Sequence, residues 1–181
     1  MIKKVLIWAV IVVVGVLLIG VLSPQGILRA VYPRKYADLV ERYAEQYGIP
    51  SEIVYAVIKT ESDFRADAVS PKGAVGLMQI TPDTFLWLAE MLNEPWDVSL
   101  LSQTDVNLRC GVFYLHFLYQ YYRDFDLALA AYNAGMGNVA KWLSSQEYSE
   151  KGKLIYIPFE ETRTSVRLVT ERAKIYQKLY K

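Results

Sequence analysis

Residues 57–64 read VIKTESDF and place a glutamate, Glu61, where the surrounding pattern favours an apolar side chain. On a helix with about 100° between successive residues, Glu61 lies near the centre of an apolar arc. The arc is formed by Ile53, Val54, Val57, Ile58 and Phe64. A buried carboxylate is costly unless it finds a partner or keeps a proton because its pKa is raised. Glu61 therefore has either a structural role, capping or pairing with a core side chain, or a catalytic role as a general acid.

Turn-forming and helix-capping residues on both sides of this stretch predict a series of helices. A helix over 36–47 ends at Gly48, and Pro50 opens the next helix, near 50–63. Further helices are predicted to follow Thr81 as N-cap and Pro82, to span 105–122, to end at Gly135, to follow Asn138 as N-cap, and to span 160–180. The sequence predicts a mainly α single domain over 36–181, with at most a small extended segment near 153–159.

The N-terminus carries an uncharged apolar run over residues 5–22. As a helix, this run is about 27 Å long, close to the ~30 Å hydrocarbon core of a bilayer. It is longer than the apolar region of a usual signal peptide, and no A-x-A-like cleavage site follows it. We therefore predict a transmembrane anchor over 1–23, with a cleaved signal peptide as the alternative, and a juxtamembrane linker over 24–35.

Charge and residue inventory exclude several classes of function. Two of the 20 Lys and Arg residues, Lys3 and Lys4, precede residue 24, so the rest of the chain has 18 basic and 19 acidic residues, a net charge of −1. This balance predicts no binding of nucleic acid. The single cysteine, Cys110, permits no internal disulfide, and the single histidine, His116, excludes His-based triads and HExxH zinc sites.

Two later motifs favour the catalytic interpretation of Glu61. Residues 70–85 read SPKGAVGLMQITPDTF: glycines let the backbone approach a ligand closely, and the amide of Gln79 can donate and accept hydrogen bonds. Residues 128–135 read ALAAYNAG and place Tyr132 and Asn133 at the end of a helix of small residues, from which they can reach a cleft. Each motif alone is also compatible with core packing or a helix cap.

Together these motifs resemble the catalytic domain of the soluble lytic transglycosylase family, whose members are relatives of goose-type lysozyme. The resemblance rests on ESDF at 61–64, GAVGLMQITPDT at 73–84, ALAAYNAG at 128–135 and IPFEETR at 157–163, and it covers about residues 36–180. It implies a lysozyme-like, mostly α fold that binds a peptidoglycan glycan strand. The implied reaction cleaves the β-1,4 bond from N-acetylmuramic acid to N-acetylglucosamine and forms 1,6-anhydromuramoyl ends, without metal or cofactor.

The resemblance also implies roles for individual residues. Glu61 is similar to the single catalytic acid/base of the family. The substrate-binding positions of the family correspond to Ser62, Gly76, Leu77, Met78, Gln79, Tyr132, Asn133 and Glu161. The chain departs from the family pattern at Phe159, where tyrosine is frequent, and at Ser165, where an aromatic residue is frequent. These departures affect contacts along the strand and leave the assignment of Glu61 intact.

Most glycosidases use two carboxyl groups, whereas a transglycosylase can work with one because the muramoyl N-acetyl group stabilises the cationic centre. Candidates for a second carboxyl group are Asp63, Asp67, Glu160 and Glu161. Combined with the anchor predicted from residues 5–22, the resemblance implies a single-pass enzyme of the cytoplasmic membrane whose domain lies on the wall-facing side, where its substrate is. Two alternatives stay open: a muramidase that uses water, and a catalytically silent wall-binding scaffold.

Overall fold

The computed structural model describes residues 23–181, and this part of the chain is mainly helical. Its α-helices are α1 (Pro24–Val31), α2 (Ala37–Tyr47), α3 (Ser51–Glu61), α4 (Pro82–Met91), α5 (Thr104–Tyr122), α6 (Phe125–Ala134), α7 (Met136–Leu143) and α8 (Glu160–Tyr180). A 3₁₀ helix at Val98–Ser102 precedes α5. An antiparallel hairpin of β1 (Ser149–Glu150) and β2 (Lys153–Leu154) precedes α8, with Ser149 opposite Leu154. The predicted helical class is confirmed.

Local sequence signals explain where the helices around the site begin and end. α2 ends at Gly48, whose φ of 65° is a conformation that glycine adopts without strain. α4 begins after Thr81, whose hydroxyl accepts a hydrogen bond from the Thr84 N–H. α3 ends at Glu61, two residues before the predicted end, because Asp63 and Phe64 have φ values of 52° and 62°. Glu61 is therefore the last helical residue before a sharp turn.

The predicted cap at Asn138 is wrong. α7 begins at Met136, and Gly135 holds the N-cap position with a φ of 83°. This left-handed conformation lets the chain pass from α6 to α7 in one residue, so no room is left for a longer connection. The Asn138 side chain instead donates a hydrogen bond back to the Ala134 carbonyl, at 2.7 Å.

The helix that carries Glu61, α3, packs against α2 and α8. α5 packs against α2, α4 and α6, and α3 packs most extensively against α8. Between α3 and α8, the ring of Tyr55 stacks on that of Tyr176 with centroids 5.3 Å apart. Both rings are nearly fully buried. The end of α3 is thus fixed against the C-terminal helix.

The first described helix, α1, lies within the segment assigned to the linker. It exposes three apolar side chains, Ile27, Leu28 and Val31, and contacts α8. Apart from Ser23, the predicted anchor over 1–23 lies outside the described residues. None of the helices within 23–181 combines the length and the apolar character needed to cross a bilayer.

Candidate active site

A cleft of about 380 Å³ opens beside the C-terminal end of α3. The loop before α4, the end of α6 and the start of α8 form its other walls. Its lining residues are Glu61, Ser70, Pro71, Lys72, Ala74, Gln79, Thr81, Tyr132, Asn133 and Glu161. A second compartment of about 600 Å³ shares Lys72, Asn133 and Glu161 with it. The two compartments therefore adjoin, and together they are called the groove here; five of the predicted site residues line it.

A larger cavity, of about 790 Å³, lies between the hairpin, the start of α6 and the middle of α8. It contains none of the predicted site residues. Its carboxylates, Asp124, Asp126 and Glu171, are exposed, whereas Glu61 is only partly exposed. The chemistry is therefore better sought in the smaller cleft.

The carboxyl group of Glu61 lies in the cleft in a setting that favours its neutral form. Burial, and secondarily the negative charge of Glu161, raise its pKa to about 7 from an ordinary value of 4.5. No group in the described part of the chain forms a hydrogen bond or an ion pair with this carboxyl group. Near neutral pH the group can therefore both donate and accept a proton.

Tyr132 lies beside Glu61 and stays neutral. Its hydroxyl donates a hydrogen bond to the Met78 carbonyl at 2.7 Å. Burial, and then the charge of Glu61, hold the pKa of this phenol well above its ordinary value. The phenol therefore does not compete as a base, and its oxygen can accept a hydrogen bond in the cleft.

The amide of Gln79 is oriented by the loop that carries it. Its Nε2 donates hydrogen bonds to the carbonyls of Ala68, at 3.1 Å, and Gly76, at 2.9 Å. Both amide hydrogens are thus occupied, and the residue itself has a φ of 48°. Gln79 therefore presents only its oxygen to a ligand, whereas the sequence allowed it to donate as well.

Asn133 presents the opposite group. The hydroxyl of Thr162, a buried residue of α8, donates to the Asn133 Oδ1 at 2.6 Å. The Nδ2 group of Asn133 remains available to a ligand at the junction of the two compartments. The cleft thus offers an acceptor at Gln79 and a donor at Asn133, a pair suited to a neutral ligand with hydroxyl and acetamido groups.

Glu161 and Lys72 form an ion pair across the groove. The Lys72 Nζ lies 2.9 Å from Oε2 and 3.2 Å from Oε1 of Glu161. Both side chains are mostly exposed. Glu161 thus lies at the rim, and its negative charge disfavours ionisation of Glu61.

Four predicted substrate-binding residues, Ser62, Gly76, Leu77 and Met78, are buried and do not line the groove. The Ser62 hydroxyl donates to the Leu77 carbonyl at 2.8 Å and so ties the end of α3 to the loop. These residues therefore position the groove from behind. Phe159 is half exposed and lines the second compartment, whereas Ser165 lies outside the groove.

Asn107 organises the same loop, but the sequence patterns do not indicate it as a functional residue. Its Oδ1 accepts the Met78 N–H at 3.0 Å, and its Nδ2 donates to the carbonyls of Val75, at 2.9 Å, and Leu101, at 3.1 Å. A Cβ atom on Gly76 would lie 2.4 Å from the Asn107 Nδ2. The available signal was a polar side chain inside the apolar helix α5.

The remaining carboxyl candidates do not share the compartment of Glu61. Asp63 pairs with Lys59 outside the groove, Asp67 is exposed, and Glu160 lines only the second compartment. Among residues 23–181, no group of three or more His, Cys, Asp or Glu side chains is placed to hold a metal ion. Glu61 and Glu161 are thus the only two carboxyl groups of the described chain that line the main compartment.

Comparisons with known proteins agree with this geometry. The Transglycosylase SLT domain profile matches residues 38–155. The chain is 36% identical over 143 residues to the soluble lytic murein transglycosylase of Escherichia coli K12, a match that covers 76% of this chain and 22% of that protein. It is 32% identical over 119 residues to the membrane-bound lytic murein transglycosylase C of Haemophilus ducreyi, covering 60% of this chain and 32% of that protein.

Among solved structures, an inactive mutant of the lytic transglycosylase Slt from Pseudomonas aeruginosa aligns with a TM-score of 0.74 at 32% identity. That alignment covers 89% of this chain and 27% of the other chain. The chain thus spans about a fifth of the length of the first curated relatives it matches. On sequence and fold together, it belongs to the Transglycosylase SLT domain family of the lysozyme-like superfamily.

Proposed function

We propose that this chain is a peptidoglycan lytic transglycosylase that uses Glu61 as its general acid and then as its base. The observation that carries the proposal is the carboxyl group of Glu61, which lies in the groove without an ion-pair partner and has a pKa of about 7. A group with this pKa can protonate a leaving oxygen and recover the proton at neutral pH. The names of the relatives, lytic murein transglycosylases, support the same reaction class.

In the proposed reaction, Glu61 donates its proton to the glycosidic oxygen as the bond to C1 of N-acetylmuramic acid breaks. The leaving sugar keeps that proton as a new 4-hydroxyl group. The carbonyl oxygen of the muramoyl N-acetyl group attacks C1 and carries the positive charge. The Glu61 carboxylate then takes the proton of the C6 hydroxyl, whose oxygen attacks C1 and displaces the acetamido oxygen. No water is consumed, and the product ends in a 1,6-anhydro ring.

The other groove residues fit the needs of this neutral substrate. The Gln79 oxygen and the Asn133 amide group are oriented by contacts to backbone and Thr162. We assign them to hydrogen bonds with the hydroxyl and acetamido groups of the strand. Tyr132, fixed on the Met78 carbonyl, supplies a neutral wall beside the reacting carbon.

A second candidate is a muramidase, in which water attacks C1. Glu161 favours it, because this second carboxyl group lines the same compartment and could serve as the base. The ion pair with Lys72 keeps that carboxylate at the rim, and we therefore rank the hydrolytic reaction second.

Product analysis distinguishes the candidates. We would incubate the detergent-solubilised full-length chain with purified peptidoglycan and read the released muropeptides by mass spectrometry. Products one water lighter than reducing muropeptides identify a transglycosylase, and reducing ends identify a hydrolase. Glu61→Gln should lower release by a factor on the order of 10³ while glycan binding persists. Glu171→Gln, at an exposed site of α8, is the matched control for Glu61→Gln. If the wild-type chain binds glycan strands but releases no muropeptides, it is a scaffold and not an enzyme.

We also propose that residues 1–23 anchor the domain in the cytoplasmic membrane, with the groove on the wall-facing side. Support comes from the uncharged run over 5–22, from the exposed apolar side chains of the following helix α1, and from the membrane-bound name of one relative. Alkaline carbonate extraction of membranes should leave the full chain in the pellet, and external protease should digest it in spheroplasts. Release by carbonate would contradict the anchor.

A further inference from the structure

Lys72 is the basic residue of the groove that the proposed reaction does not use. Within the described chain, it is the only Lys, Arg or His that lines either compartment. It lies at their junction and pairs with Glu161; the other acidic residues that line the two compartments are Glu61 and Glu160. A cation placed between carboxylates requires an explanation, since the backbone of the glycan strand is neutral.

The backbone presents Lys72 at the tip of a closed turn. The Ser70 N–H donates to the Ala74 carbonyl, and the Gly73 N–H donates to the Ser70 carbonyl, both at 2.9 Å. The Ala74 N–H donates to the Ser70 hydroxyl at 3.0 Å. The turn is therefore fixed by its own hydrogen bonds, while the lysine side chain extends from it into the groove.

The contact between Lys72 and Glu161 is suited to exchange. The two side chains keep 77% and 69% of their surface exposed, so solvent screens the pair and it contributes little to stability. A carboxylate of a ligand could replace that of Glu161 at small cost, because both states keep one ammonium–carboxylate contact. Glu161 thus occupies the position that an anionic ligand group would take.

The substrate proposed above supplies such a group only through its peptides. Both sugars of the strand are N-acetylated and neutral, whereas the peptide attached to the lactyl group of muramic acid carries carboxylates. We propose that Lys72 is a specificity-determining residue that leaves Glu161 to bind a stem-peptide carboxylate, so that the groove favours peptide-bearing strands. This inference rests on the proposed function, whose substrate it makes more specific.

The test compares two forms of the same glycan strands, one with stem peptides and one from which an amidase has removed them. The measured quantity is the ratio of kcat/KM for the peptide-bearing form to that for the bare form. Lys72→Met should lower this ratio about fivefold. Lys72→Arg, which keeps the charge, should stay within about twofold of the wild-type ratio. Lys178→Met is the control, because Lys178 is exposed in the last turn of α8, about 25 Å along the helix from Glu161.

An unchanged ratio would overturn the inference. If kcat/KM falls equally on both strand forms, Lys72 only supports the structure of the groove; if it falls on neither, the peptides do not contact Lys72. The ratio of affinities for the two forms, measured by pull-down without turnover, gives the same comparison. A wild-type chain that binds strands but releases nothing would overturn the proposed function, and the affinity ratio would still decide the role of Lys72.

Discussion

At the scale of single residues, the reactivity of the groove depends on what Glu61 lacks. A carboxylate buried in protein ordinarily has a cation or several N–H donors nearby, which lower its pKa. No cation and no N–H donor within residues 23–181 contacts the Glu61 carboxyl group, and the nearby charge of Glu161 is of the same sign. It is also the last residue of α3, where the partial negative charge of the helix end further disfavours a carboxylate. These three conditions together explain a proton held near neutral pH.

Removing the charge of Glu161 should shift the pH dependence of cleavage. The general acid must be protonated, so kcat/KM should fall about tenfold per pH unit above a pH of about 7. In Glu161→Gln the like charge is absent, ionisation of Glu61 becomes easier, and its pKa is lower. The alkaline limb should therefore move to lower pH, as measured by pH–rate profiles. Glu171→Gln should leave the limb in place, and a shift to higher pH would contradict the assignment.

The buried carboxyl group should also cost stability at alkaline pH. The folded state raises the pKa of Glu61 from 4.5 to about 7, so it binds the proton more tightly than the unfolded state does. This proton binding contributes to the free energy of unfolding at low pH, and the contribution is lost as the pH rises from 4.5 through about 7. Glu61→Gln removes the ionisation. Its free energy of unfolding in urea should match the wild type near pH 4.5 and exceed it by about 3 kcal/mol at pH 8.5. An equal difference at both pH values would show that packing, not ionisation, is responsible.

At the residue scale, the sequence indicates a candidate where a local pattern is broken, and it does not indicate contacts between distant positions. Glu61 interrupts an apolar arc within one helix, and this was visible in the sequence. The orientation of the Gln79 amide depends on Ala68, eleven positions away. The ion pair of Lys72 depends on Glu161, 89 positions away. No local pattern indicates contacts of this kind, so the sequence alone assigns no role to Lys72.

At the scale of elements, the loop between α3 and α4 is held by a buried polar contact rather than by regular structure. The Asn107 side chain bonds to the Met78 N–H and the Val75 carbonyl of this loop and to the Leu101 carbonyl of the 3₁₀ helix. Isolated bridges join Val75 to Val69 and Ile80. A buried amide with satisfied partners fixes backbone in one arrangement, because any other leaves polar groups unpaired. The loop thus has a defined shape at the groove, and this shape holds the amide of Gln79 in its orientation.

Two glycines of this loop offer a matched test of that packing. Gly73 and Gly76 have φ values of 79° and 80°, so alanine costs each about 1 kcal/mol in backbone strain. A Cβ on Gly73 meets nothing within 4 Å, whereas one on Gly76 lies 2.4 Å from the Asn107 side chain. Gly76→Ala should therefore lower the free energy of unfolding by about 2 kcal/mol more than Gly73→Ala. Equal losses in urea denaturation would show that Asn107 can move without cost.

Element boundaries followed the local signals where these were unambiguous. The end of α2 at Gly48 and the start of α4 at Thr81 depend on residues whose preferences are strong. The predicted N-cap at Asn138 was wrong because Gly135, three residues earlier, is the N-cap of α7. Of the segment expected to be extended, only Lys153–Leu154 forms a strand. Its partner Ser149–Glu150 has no alternating pattern, and pairing across a turn was not visible in the sequence.

At the scale of the whole molecule, the two ends of the described chain are bound to each other. The Tyr180 hydroxyl donates to the Tyr32 carbonyl at 2.8 Å, and the Tyr176 hydroxyl donates to the Pro33 carbonyl at 3.2 Å. The Arg34 guanidinium lies over two rings, 5.4 Å from Tyr55 and 5.3 Å from Tyr180. The segment expected to be a linker is thus attached to the helix that carries Glu161. If residues 1–23 anchor the chain as proposed, this attachment sets the orientation of the groove relative to the membrane.

Loss of the Tyr180 side chain should free that segment without unfolding the domain. Tyr180→Ala removes a hydrogen bond and a ring under Arg34, interactions worth about 1 kcal/mol each in partly buried settings. Hydrogen exchange, read by mass spectrometry, should therefore quicken about tenfold or more over residues 24–36 and stay unchanged in α5. Tyr121→Ala is the control, because Tyr121 is 66% exposed. Unchanged exchange over 24–36 would mean that α1 is held by other contacts. Faster exchange would show that the C-terminal helix fixes the segment through which an anchor must orient the groove.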